Sequence, residues 1–270
     1  MNSYEAIIYG IIQGLSEFLP VSSSGHLALL PHIMKIEDPG VVFDLMMHFG
    51  TALAVITYFR KDILSYMKTL TPELVNLKSG SPSQWFVRNF IFSTFVSILL
   101  IVALIPASKM ARDPNIIVFN LVVFGAILWA ADEWNKRKAT LLDAPMESKM
   151  QWKMAAMIGA AQALAIFPGV SRSGITLSVA LILGMRRKDA GAFSFLMSLP
   201  IILAGILKEI PDVLKSGDQK IQILLCGVVS SFIVGWLTVH FFMKLIGTIR
   251  LGYFAVYRWV LAIIMLVLLS

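Results

Sequence analysis

Two short stretches of an otherwise apolar chain contain the side chains that could do chemistry. The first, residues 13–26, reads QGLSEFLPVSSSGH and combines a carboxylate, a run of hydroxyls and an imidazole. The second, residues 162–176, reads QALAIFPGVSRSGIT and adds a guanidinium between two hydroxyls. Arginine and hydroxyl groups bind phosphate, and a hydroxyl beside a base can act as a nucleophile. These residue types predict a site for a phosphate-like anion.

Four residues are the catalytic candidates. Ser23 and His26 are three residues apart, which can place both side chains at one site, so that His26 activates the Ser23 hydroxyl or attacks phosphorus itself. Glu17 could orient the histidine, act as a base or hold a divalent cation. Arg172 lies in an apolar setting where an unpaired guanidinium is costly, and it would hold the phosphate. The structural alternatives are a packing histidine, a capping carboxylate and an arginine that braces the fold.

Backbone groups should complete the anion pocket. Helices that begin after Pro20 and after Pro168 would each present unpaired N–H groups and the positive end of a helix dipole. The residues expected to bind the phosphate with them are Gln13, Ser22, Ser24, Ser171, Ser173 and Thr176. His32, His48 and His240 have no comparable neighbours in the sequence, and we interpret them as structural.

Composition places this chemistry in a membrane. Of 270 residues, 57% are hydrophobic and only 14% charged, and the mean hydropathy is +0.79; soluble domains hold about 25% charged residues. The net charge of +7 is attributed to loop lysines and arginines, because no clustered basic and aromatic surface for nucleic acid is present. Polar residues interrupt the N-terminal apolar run, so no removable signal peptide is expected.

The apolar segments predict an all-α integral membrane protein with six transmembrane helices and two re-entrant helical hairpins. The hairpins are expected at about residues 4–34 and 154–185, because each consists of two short helices broken at a proline. The transmembrane helices are expected near residues 43–59, 90–105, 116–131, 193–207, 221–243 and 253–269.

The two chemical stretches align with each other, which indicates an internal repeat. Residues 1–135 form the first repeat, 154–270 the second, and the charged segment 136–153 the cytoplasmic linker between them. Three transmembrane helices per half make the repeat inverted, an arrangement found in secondary transporters. The basic loop residues collect on one side, which the positive-inside rule places in the cytoplasm. Both termini and the first hairpin would then face outward.

The motifs resemble those of the bacterial undecaprenyl pyrophosphate phosphatases linked to bacitracin resistance. The matching elements are (E/Q)xxxE at residues 13–17, FLPVSS(S/T)GH at 18–26 and PGxSRSGxT at 168–176. The resemblance implies hydrolysis of undecaprenyl diphosphate to the monophosphate and inorganic phosphate, in the bacterial cytoplasmic (inner) membrane, for cell-wall synthesis. It implies Glu17, Ser23, His26 and Arg172 as catalytic residues, and Mg²⁺ or Ca²⁺ as cofactor with Glu17 as a ligand. Gln13 stands where many members have glutamate, which weakens a two-carboxylate metal site.

Two other functions stay open at this stage. An inverted repeat with an anion site also suits a polyprenyl-phosphate flippase or transporter, because fold alone does not decide function. A phosphatase acting on another lipid diphosphate would need the same chemistry with a different tail. The expected partners are the lipid substrate and the surrounding membrane lipids, and a homodimer is left open.

Overall fold

A computed structural model describes residues 1–70, 80–110, 113–138, 150–214 and 218–269. All regular secondary structure in these ranges is helical. The helices are α1 (Ser3–Ser16), α2 (Ser23–Met34), α3 (Val41–Tyr58), α4 (Arg60–Met67), α5 (Pro82–Met110), α6 (Pro114–Lys138), α7 (Trp152–Ala163), α8 (Arg172–Ile182), α9 (Arg187–Leu214), α10 (Asp218–Leu245) and α11 (Gly252–Leu269). A short 3-10 turn at Leu164–Ile166 follows α7.

Within the described ranges, five helices are long and apolar enough to cross a membrane: α3, α5, α6, α9 and α10. This agrees with the predicted multi-pass membrane protein. The predicted sixth transmembrane helix, residues 253–269, coincides with α11, which is apolar but shorter. Its role as a sixth span therefore stays a prediction.

Two pairs of short helices stand where the sequence predicted hairpins. α1 begins at a capping box in which Asn2 and Glu5 exchange hydrogen bonds, and it ends one residue before Glu17. α2 follows a short turn that contains Pro20. α7 and α8 are separated in the same way by a turn that contains Pro168. Whether these pairs re-enter the membrane stays a prediction, as does the division into repeats, and linker residues 139–149 lie outside the described residues.

The first helix of each pair packs against a long helix from the other part of the chain. α1 packs on α10, and α7 packs on α5. Glycines make both approaches close: a Cβ at Gly10 would collide with the backbone carbonyl of Gly227, and one at Gly159 with that of Ser93. Close helix contacts at small residues are the usual way helices associate in membranes. These two contacts fix the helices that lead into the two proline turns.

Gly10→Ala should destabilise the protein, because its methyl group has no room against α10. We expect a loss of about 1–3 kcal/mol, the range for overpacked sites, measured as a lower thermal unfolding midpoint in detergent. Gly247→Ala is the control, since the nearest atom to its added Cβ lies 3.7 Å away on a lysine side chain. Equal midpoints for the two variants would contradict the tight contact.

Candidate active site

Glu17 lies at the centre of the predicted site. It is the first residue after α1 and is only 5% exposed. The next residue, Phe18, is fully buried and packs edge-on against Phe195, with ring centroids 5.1 Å apart. This packing holds the end of α1 in place and fixes the direction of the carboxylate.

Four side chains from four helices converge on the Glu17 carboxylate. Gln13 donates its Nε2–H to Oε2 at 3.0 Å, and the Ser23 hydroxyl donates to the same oxygen at 2.8 Å. The Arg172 guanidinium donates from Nη2 to Oε1 in a partly buried ion pair. His48 Nε2 lies 3.4 Å from Oε2. The structure thus brings together Gln13, Glu17, Ser23 and Arg172, and adds a histidine that the sequence analysis had interpreted as structural.

The serines before α2 and α8 cap these helices in an uncommon backbone conformation. Ser22 has φ +76° and Ser171 φ +68°, in the left-handed region that non-glycine residues rarely adopt. Each hydroxyl accepts a hydrogen bond from the backbone N–H of the glycine three residues on, Gly25 and Gly174. Strained residues of this kind persist where surrounding contacts hold them, and they cluster at functional sites.

The two turns also bind each other directly. The backbone N–H of Gly169 donates to Ser24 Oγ at 3.2 Å, and the Ser173 hydroxyl donates to the carbonyl of Leu19 at 3.2 Å. Each turn therefore receives one serine contact from the opposite helix start. This reciprocal arrangement keeps the N-termini of α2 and α8 side by side.

Two adjoining cavities meet at this site. The inner cavity, of about 410 Å³, is lined by Glu17, Ser23, Arg172 and Ser171, and otherwise largely by apolar residues such as Ile101, Ile201 and Ile202. The outer cavity, of about 610 Å³, is lined by Pro31, His32, Asp38 and Ile117, among others. Ser24, Val41, Asp44 and His48 line both.

The predicted phosphate-binding residues divide into two groups. Ser24 and Ser171 line the inner cavity. The other four, Gln13, Ser22, Ser173 and Thr176, are buried and brace the site; Thr176 Oγ1, for example, donates to the Arg172 carbonyl at 2.7 Å and contacts Ser194 Oγ at 2.5 Å.

His26 is held away from Glu17 and Ser23. Its Nδ1 donates to the Ser22 carbonyl at 2.8 Å, and its Nε2 lies 2.7 Å from the Tyr257 hydroxyl. A carbonyl only accepts, so Nδ1 carries a proton, and a neutral ring then accepts the Tyr257 hydroxyl at Nε2. Both ring nitrogens are therefore engaged by groups other than Glu17 and Ser23 in this conformation.

Arg258 is a buried residue that the sequence analysis missed. It is fully buried and donates to the carbonyls of Gly169 at 2.7 Å and Val170 at 3.1 Å, and to two carbonyls of α6. Asn120 adds a hydrogen bond to the Pro168 carbonyl at 2.7 Å. These contacts satisfy the non-helical backbone before Arg172. A single arginine inside the apolar segment 253–269 was the signal that could have found it.

The chain matches the profile of the family described as bacitracin resistance protein BacA over residues 6–264. It is also 36% identical over 273 aligned positions to the undecaprenyl-diphosphatase of Gemmatimonas aurantiaca, covering 100% of this chain and 99% of that protein. The chain belongs to the BacA family. The motifs on which the sequence resemblance rested are those that converge on Glu17.

The described side chains do not by themselves form a complete ligand set for the divalent cation expected from the BacA resemblance. The described residues contain no group of three or more His, Cys, Asp or Glu side chains that could hold a metal ion. The Glu17 carboxylate already receives the Arg172 guanidinium and the Ser23 hydroxyl. Cations held by one or two carboxylates need further oxygen ligands, as from substrate phosphates. We derive no catalytic step through a metal, and the cation stays a prediction.

The positive φ of the capping serines predicts that alanine and glycine substitutions at Ser171 differ in their effect on stability. Ser171→Ala loses the hydrogen bond to Gly174 and keeps the unfavourable φ, whereas Ser171→Gly loses only the hydrogen bond. The glycine variant should therefore be more stable by about 1 kcal/mol or more, measured as unfolding midpoints of the two purified variants. Equal midpoints would mean that the positive φ costs nothing.

Proposed function

We propose that the protein hydrolyses undecaprenyl diphosphate to undecaprenyl phosphate and inorganic phosphate, which recycles the carrier lipid for cell-wall synthesis. The observation that carries the proposal is the pairing of the Ser23 hydroxyl with Glu17 opposite Arg172, at the wall of a largely apolar cavity. The name of the Gemmatimonas relative supports the same reaction.

The diphosphate is bound by groups that lack a full set of partners. Arg172 uses Nη2 for Glu17, and its buried Nη1 has no hydrogen-bond partner among the described residues. The helix starting at Arg172 adds N–H groups and a positive dipole end, which stabilise negative charge on phosphate. In this proposal, the terminal phosphoryl group lies between Arg172 and Ser23. Donors fixed in place before the reaction stabilise the charge that develops during transfer.

Ser23 is the nucleophile that this geometry favours. Its Oγ attacks the terminal phosphorus as its proton passes to Glu17 Oε2, a new O–P bond forms, and the bond to the bridging oxygen breaks. The leaving group is the lipid monophosphate. Water then hydrolyses the phosphoserine and releases inorganic phosphate. His26 stays a candidate for direct attack or for proton transfer, although it faces Tyr257 in this structure.

The isoprenoid tail enters the inner cavity along its apolar wall. Gly205 is part of that wall, and a Cβ added there would lie 3.2 Å from a methyl group of Leu45. A water-soluble diphosphate has no long apolar tail that such a wall could bind. The apolar lining therefore supports a lipid substrate.

One basic cavity and the position of the outer cavity support the proposed orientation in the bacterial inner membrane, with the active site on the outer face. Both termini would lie on that face as well. A cavity lined by Lys136, Arg186, Arg187, Lys188 and Arg250 lies beside Asn135, near the end of α6. The outer cavity touches Ile117, near the start of that helix. Eighteen residues of helix separate these ends by about 27 Å. The basic end belongs in the cytoplasm by the positive-inside rule; a homodimer stays a prediction.

Purified protein in detergent should release inorganic phosphate from undecaprenyl diphosphate, assayed with EDTA and with added Mg²⁺ or Ca²⁺. Glu17→Gln, Ser23→Ala, His26→Ala and Arg172→Ala should each lower turnover about 100-fold or more. Ser16→Ala is the matched control, because its hydroxyl donates to the Ile12 carbonyl within α1. Detergent excludes transport as a readout, so absence of phosphate release by folded wild type under all cations would favour the flippase. Wild-type turnover by a variant would remove its residue from the mechanism.

Gly205→Leu should raise KM for undecaprenyl diphosphate about 10-fold with little change in kcat, because the added side chain takes up space along the apolar wall of the cavity. A water-soluble short-chain prenyl diphosphate should be affected less. Steady-state kinetics with both substrates check this expectation. An equal rise in KM for both substrates would place the tail elsewhere.

A further inference from the structure

His48 contacts the catalytic carboxylate although no sequence motif singled it out. It lies on α3, with Nε2 3.4 Å from Glu17 Oε2 and Nδ1 2.8 Å from the carbonyl of Asp44 one helical turn earlier. Its side chain is 27% exposed, whereas that of Glu17 is 4% exposed. The carboxylate is therefore enclosed, and His48 is one of the few groups that reach it.

The two neighbours of the imidazole determine which of its nitrogens must carry a proton and donate a hydrogen bond. The Asp44 carbonyl only accepts, so Nδ1 presents an N–H toward it. The ring is thereby fixed on its own helix, and Nε2 is directed at Glu17. An attractive contact with the carboxylate requires an N–H at Nε2 as well. At 3.4 Å this contact is longer than a formed hydrogen bond, and catalytic contacts of this length commonly tighten when substrate binds.

Substrate binding should change the set of hydrogen bonds that the Glu17 carboxylate receives. In the structure, Arg172 donates a hydrogen bond from Nη2 to the carboxylate. A bound diphosphate offers this guanidinium a second anion, so its hold on Oε1 weakens. Gln13 and His48 are then the donors that keep the carboxylate aimed at the Ser23 hydroxyl. His48 also lines both cavities, the largely apolar one and the one lined by His32 and Asp38.

We propose that His48 is a positioning residue for Glu17, which acts by donating Nε2–H to Oε2 while the Asp44 carbonyl fixes the ring. This role rests on the proposed function. The essential feature is a donor at the place of Nε2, because Arg172 already supplies the positive charge. A side chain that reaches this place should therefore support turnover, and one that reaches only the place of Nδ1 should not.

Two amide substitutions distinguish the contribution of Nε2 from that of Nδ1. His48→Gln places an amide N–H where Nε2 stands, and His48→Asn reproduces only Nδ1. We expect His48→Gln to keep kcat within about threefold of wild type, and His48→Asn and His48→Ala to lose about 10- to 100-fold in kcat. KM for undecaprenyl diphosphate should change little. Imidazole added to His48→Ala should restore part of the lost kcat, since it can enter the space left by the ring.

The control is His32→Asn, since His32 lines the outer cavity but not the inner one, and its kcat should equal that of wild type. Unfolding midpoints of all variants identify any loss that comes from misfolding. Wild-type kcat in His48→Asn and His48→Ala would overturn the proposal. So would an equal loss in His48→Gln and His48→Asn, or a loss without imidazole rescue.

The proposed function and this inference fail in different ways. Phosphate release by the wild type tests the proposed function. The ratios of kcat between the His48 variants and the wild type test the proposed role of His48. Direct evidence independent of turnover comes from ¹⁵N-histidine spectra, in which the signal lost in His48→Asn is assigned to His48. That signal should show a proton on both Nδ1 and Nε2, and it should shift in Glu17→Gln. A His48 ring without a proton on Nε2, or a signal that does not respond to Glu17→Gln, would overturn the proposal even in an inactive preparation.

Discussion

The ion pair between Glu17 and Arg172 joins two turns that are distant in sequence, and the rest of the site is arranged around it. A lone charge in an apolar interior is costly, and removal of one partner of a buried pair costs about 3–5 kcal/mol. Each residue is therefore stabilised in its place by the other. In the proposed mechanism, the same pair holds the base beside the Ser23 hydroxyl and the anion-binding guanidinium beside both, so stability and chemistry depend on one contact.

Irregular backbone next to this pair needs its own partners. Buried non-helical N–H and C=O groups must be satisfied by protein or by water in a cavity. Arg258 and Asn120 satisfy the carbonyls of the turn that precedes Arg172. Ser24 and Ser173 supply the remaining links between the turns. The site is therefore built on a backbone whose polar groups are bound from several helices, which explains how two serines can be kept at positive φ.

The sequence predicted the local features of this fold better than the long-range ones. Apolar segments and prolines located the helices and the two breaks, because these depend on neighbouring residues. The convergence of Glu17, Ser23 and Arg172 followed from two motifs with clear chemistry. The place of His26 against Tyr257 did not follow, because it depends on which face of α2 meets α11. His48 was missed for the same reason: its partner Glu17 lies 31 positions away on another helix.

The two aligned motifs carry different residues at equivalent positions, and the structure gives a reason for this difference. Alignment of the motifs sets Ser23 opposite Arg172, and each is the first residue of its helix, α2 and α8. Both side chains reach Glu17, one at each carboxylate oxygen. Two serines at these places would leave the buried carboxylate without a countercharge, and two arginines would leave one cation unpaired and no hydroxyl to attack phosphorus. Equivalent positions that converge on a single carboxylate must therefore carry different residues, and Ile166 replaces a second carboxylate in the other motif.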